Sequence, residues 1–120
     1  MEKEFVSYEQ ALALKELGFN EPCFDFYDND KELFYNSDNE NKIHIGYQVN
    51  APTFSQVFRW FREKYGYDSQ VTYTQNKYLG FVADHKTGYY LAATNDFSIH
   101  EEAEDALIDK LIELIKQQAK

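Results

Sequence analysis

One cysteine, Cys23, is all the chain carries, so neither an internal disulfide nor a multi-cysteine zinc centre is open to it. Two prolines and five glycines exclude collagen-like and low-complexity architecture. No stretch comes near the ~18 consecutive apolar residues of a membrane-spanning helix. The start, Met1-Glu2-Lys3-Glu4-Phe5, is charged and lacks the apolar stretch of a secretory signal, so a cytoplasmic location without membrane association is expected. Bases are few: 12 Lys and Arg stand against 21 Asp and Glu, a net charge of −9. Proteins that grip nucleic acid draw affinity from Lys and Arg on phosphates, and this chain repels a polyanion over much of its surface. What is plentiful is aromatic. Ten Phe, ten Tyr and one Trp sit within a 43% hydrophobic total, ample for a core. The length and the lack of a compositional seam predict one domain, 1–120.

The charge is unevenly spread. Residues 1–50 carry 11 acids and 4 lysines, 51–95 carry 3 acids and 5 bases, and 96–120 carry 7 acids and 3 lysines. Acid at both ends serves solubility. It also suits a polyanion mimic, an acidic decoy or inhibitor of a host nucleic-acid-binding protein, and that stands as an alternative function.

Local patterns predict the elements. A first helix runs from about Ser7 to Leu17, with a Ser7/Gln10 capping box and Gly18 after its end. Ala11, Leu14 and Leu17 share one stripe, and Tyr8 and Leu12 an adjacent one. Cys23–Tyr27 and Leu33–Tyr35 read as strands around the polar Asp28-Asn29-Asp30-Lys31 turn, and Lys42–Val49 alternates as a third. A second helix spans about Ala51–Tyr65, capped by Asn50, with Pro52 in its first turn and Gly66 after it. Its predicted buried face is Phe54, Val57, Phe58, Phe61 and Tyr65, with Trp60 on the shoulder and Arg59 and Glu63 opposite. Strands follow at Gln70–Gln75, Tyr78–Asp84 and Tyr89–Thr94, joined by Asn76-Lys77 and by His85-Lys86-Thr87-Gly88. The last helix starts from a Ser98/Glu101 capping box and reaches about Gln118. The order α-βββ-α-βββ-α, with hairpin-linked strands, predicts an α+β fold of about six antiparallel strands with three helices packed on them, the two strand triplets forming one sheet or two.

Three stretches carry a resemblance. They are Tyr8–Phe19 with Glu21-Pro22-Cys23-Phe24; Phe58-Arg59-Trp60-Phe61-Arg62-Glu63-Lys64-Tyr65-Gly66; and Glu101-Glu102-Ala103-Glu104 leading into Leu111-Ile112-Glu113-Leu114. Together they resemble small uncharacterised proteins encoded by phages and prophages of anaerobic gut bacteria. The resemblance implies action inside a bacterial host cell and carries no catalytic residue or cofactor with it.

Reactive chemistry finds little support in the residues. Asp28-Asn29-Asp30-Lys31-Glu32 opens like an EF-hand loop, but Leu33 stands where the turn needs glycine and Asn39 where a bidentate Glu belongs. His44, His85 and His100 lie on three elements with no H-x-x-x-H or C-x-x-C spacing, so no metal site is expected. Cys23, between Pro22 and Phe24, reads as a packed core thiol. No G-x-S-x-G, P-loop or G-x-G-x-x-G is present. Neither an enzymatic activity nor a cofactor is predicted. Lys77–Asp84 matches the RNP1 pattern at Lys77, Gly80, Phe81 and Val82 and departs from it at Tyr78, Leu79 and Asp84. With Arg59, Trp60, Arg62, Lys64 and Lys86, it makes weak single-strand nucleic-acid binding through 59–86 a further alternative.

Interaction remains. Twenty-one aromatics exceed what a core of this size comfortably hides, and adjacent Tyr89 and Tyr90 must point to opposite sheet faces. On the last helix Ala103, Leu107, Leu111 and Leu114 form the expected core stripe. Ile108, Ile112 and Ile115 widen the apolar arc beyond what one sheet covers. Helix 1, a second copy or a partner protein would have to cover that flank. The predicted interaction surface is therefore Ile108, Ile112, Ile115, Trp60, Tyr89 and Tyr90. The expected function is a non-enzymatic protein–protein interaction module.

Overall fold

The computed structural model describes residues 5–21, 23, 25–27, 32–35 and 49–118. The chain divides after Thr53 into two compact units, 1–53 and 54–120. Composition shows no seam there because Ala51-Pro52-Thr53 leads from strand to helix with no linker.

The first unit holds helix α1 (Tyr8–Glu16) and strands β1 (Asp25–Tyr27), β2 (Leu33–Tyr35) and β3 (Val49–Ala51). Ser7 starts α1 with both bonds of the capping box: Gln10 N–H donates to Ser7 Oγ, and Ser7 N–H donates to Gln10 Oε1. The helix ends in a full Schellman motif. Gly18, at φ +100°, donates to the Lys15 carbonyl, and Phe19 donates to the Leu14 carbonyl, with both Leu14 and Phe19 buried. β1 is the central strand, antiparallel to β2 and to β3, and α1 packs on β3. The Tyr27 hydroxyl donates to the Val6 carbonyl at 2.5 Å and meets Tyr8 edge-on.

The second unit runs α2 (Phe54–Tyr65), β4 (Tyr67–Thr74), β5 (Lys77–Asp84), β6 (Tyr90–Ala93) and α3 (His100–Gln118). β4 and β5 pair without a break from Tyr67↔Asp84 to Thr74↔Lys77. Gln75 and Asn76, at φ +51° and +64°, close that hairpin with the two-residue turn whose twist matches the strands. β6 pairs antiparallel with β5 across a register shift at Val82/Ala83. α3 packs on β5, β4, β6 and α2.

The α+β class and the antiparallel pairing stand, but the strands do not join into one six-stranded sheet. The strands form two three-stranded sheets, β2-β1-β3 and β4-β5-β6. Asn50 does not cap a helix; it pairs with Phe26 in the β1–β3 ladder, and α2 begins only at Phe54. Of the third predicted strand only Val49 lies within the described residues. α3 starts at His100, and Ser98 Oγ accepts from Lys77 Nζ. Leu12 is exposed, so the apolar face of α1 is narrower than predicted.

Two helix faces are rotated from expectation. On α2 the buried set is Phe54, Val57, Trp60 and Phe61, while Phe58 is half-buried. The indole brings the difference: it packs edge-on against Phe61 and Tyr65, with Lys64 Nζ 4.9 Å above it. On α3 the buried set is Ala103, Leu107, Ile108, Leu111, Ile112 and Ile115, and Leu114 is the flank. A helix covered by a sheet and a second helix needs this wider arc.

Phe61→Ala should cost about 3–5 kcal/mol, from lost burial plus a cavity. Phe58→Ala should cost less than Phe61→Ala, and Arg59→Ala under about 1 kcal/mol. Denaturant midpoints of the three variants check this order.

Candidate functional site

The predicted interaction residues separate into two groups. Trp60, Ile108, Ile112 and Ile115 are buried, so they belong to the core and are not open to a partner. Tyr89 and Tyr90 are 74% and 70% exposed, and Leu91 beside them is 40% exposed. These three residues open onto β6, an edge of the second sheet.

The β5–β6 loop is built to hold them. Asp84 N–H donates to the Tyr89 carbonyl at 2.9 Å, and Gly88 N–H donates to the Asp84 carbonyl at 2.8 Å. Thr87 Oγ1 donates to Asp84 Oδ2 and accepts from Tyr89 N–H. Gly88, at φ +77°, supplies the left-handed backbone that lets the chain reverse. His85 Nδ1 lies 2.7 Å from Asp68 Oδ2, and His85 N–H donates to the Gly66 carbonyl, tying the loop to the start of β4. Tyr90 rests its ring 5.2 Å from that of Phe81 on the neighbouring strand. At the far end Thr94 N–H donates to the Gly80 carbonyl, and Phe97 bridges back to Tyr78. Asn95 and Asp96 span the interval that Leu79 alone spans on β5, so both stand out from the ladder. From Thr87 to Asn95 the sequence holds no charged residue and no proline. Lys86 and Asp96, both exposed, bracket that stretch.

The two strand lysines stand apart. Lys77 opens β5 and Lys86 follows its end, so they lie at opposite ends of an eight-residue strand. Arg59, Arg62 and Lys64 are exposed on α2. Phe81 is half-buried against Tyr90, and no second aromatic stands at the Leu79 position.

One cluster escaped the sequence reading, which treats every histidine as isolated. His100 Nδ1 lies 3.3 Å from Glu104 Oε1 and 3.6 Å from Glu101 Oε2, and its ring meets Tyr78 edge-on. The i,i+4 spacing of His100 and Glu104 was the available signal. Their ligand-type atoms all fall within 4.8 Å, close enough to share a cation. All three side chains are partly exposed, and the positive end of α3 opposes a cation there, so the arrangement suits an ion-paired helix start. His44 and the Asp28-Asn29-Asp30-Lys31 turn lie outside the described residues. Cys23 is buried, with its thiol on the Glu21 carbonyl. A cavity of about 40 Å³ between α1 and β3, lined by Ala11, Lys15, Phe19, Asn20, Val49 and Asn50, is far below the several hundred Å³ of small-molecule sites.

No protein-family model, curated protein or solved structure matches the chain, so the site alone carries the functional argument.

Burial pushes the Glu104 carboxyl above its ordinary value; Glu101 pushes it the same way and His100 opposes. The folded state therefore holds this proton to higher pH than the unfolded chain does. Its contribution to stability is full below the ordinary carboxylate value and is lost as pH rises through the raised one. Glu104→Gln, which cannot lose a proton, should gain on the wild type as pH goes from about 3 to about 7. Urea midpoints at the two pH values measure the gain.

Proposed function

We propose that this chain is a protein-binding module without chemistry of its own, and that it takes up a strand of its partner on the outer edge of β6. The setting we propose is the interior of a bacterial cell, in keeping with the phage proteins it resembles. The observation that carries the reading is the bare edge. Edge strands present unpaired N–H and C=O groups, and proteins normally blunt them with charge, proline or a cover. β6 pairs with β5 on one side and, among the described residues, with nothing on the other. It carries no charge and no proline; of the usual guards it has its four-residue length and the break in register with β5 at Leu91. β4, the opposite edge of the same sheet, carries Asp68 and the exposed polar Gln70 and Thr74.

Strand addition suits such an edge. Main-chain hydrogen bonds supply affinity, and alternate side chains supply selectivity. Tyr89 and Tyr90 add large contact area at low rotamer cost. The acidic-decoy reading draws on segments 25–40 and 101–113, and much of the first lies outside the described residues. The single-strand reading draws on lysines that stand at opposite ends of β5. Neither has an observation as specific as the edge.

Leu91→Lys places a charge in the middle of the edge on a side chain that is already exposed, so the fold should survive. Wild-type chain immobilised in bacterial lysate should retain a protein in near-stoichiometric amount, and Leu91→Lys should release it. Arg59→Ala, on the exposed face of α2, should still hold it. Equal retention by Leu91→Lys and wild type would remove β6 from the function.

A further inference from the structure

We draw no further inference here: the strongest candidate, the side-chain cluster of His100, Glu101 and Glu104 at the start of α3, is a partly exposed acidic group at a helix N-terminus, and no second observation among the described residues points to a cation there.

Discussion

The second unit is organised by the contact of Leu107 with the backbone of Gly80. A Cβ at Gly80 would lie 3.1 Å from Leu107 Cδ1 and 3.2 Å from Thr94 Cγ2, so any larger residue would make these side chains give by a few tenths of an ångström. Gly80 N–H also donates to Thr94 Oγ1 at 2.9 Å, and its carbonyl accepts from Thr94 N–H. Thr94 Oγ1–H in turn donates to the Asn95 carbonyl. One residue thus sets how near the helix lies and where the chain leaves β6. With α3 on the sheet and β5 filling the inner side of β6, the outer side of β6 is, like that of β4, without a strand partner among the described residues.

The aromatic richness of the sequence divides along the same line. Trp60, Phe61, Tyr65 and Tyr67 make a continuous ring cluster, with Gln118 donating to the Tyr67 hydroxyl from the last turn of α3. Burial raises the Tyr65 hydroxyl above its ordinary value, with Tyr67 adding to the effect, so this end of the unit favours neutral rings. Among the described aromatics, Tyr73, Tyr89 and Tyr90 are exposed. Tyr73 is accounted for locally: it pairs with Tyr78 across the hairpin, and its hydroxyl donates to Asn76 Oδ1. Tyr90 likewise rests on Phe81 of the neighbouring strand, while the Tyr89 ring, 74% exposed, has no ring contact among the described residues.

What the sequence made legible is what a few neighbouring residues decide among themselves. Ser7, Gln10 and Gly18 define both ends of α1 because each bond involved spans five residues or fewer. The β4–β5 and β5–β6 hairpins were legible for the same reason, to within a few residues at their ends. Sheet membership was not, because whether β3 joins β1 or β5 is settled by contacts between distant parts of the chain. The phase of α2 failed at Trp60, whose ring counts for more than its place on a helical wheel once Phe61 and Tyr65 pack on it. Ile108, Ile112 and Ile115 were read as surplus because the sequence does not show that α2 and the sheet both face α3. Tyr89 and Tyr90 were legible as candidates from composition. The bareness of the edge beside them needed the pairing partners of β6 to be known.

The acid excess and the bare edge then make one argument. An unguarded strand edge pairs with whatever extended backbone it meets, and in a concentrated cell that is a hazard. Repulsion between chains of net charge −9 acts over roughly 8 Å at physiological ionic strength, beyond the ~4.8 Å spacing of paired strands. Random approaches are therefore opposed before an edge bond can form. Charge elsewhere on the molecule discourages indiscriminate pairing at the β6 edge. In this reading the composition that argued most strongly against a nucleic-acid-binding protein is what allows an aromatic edge strand to stay exposed.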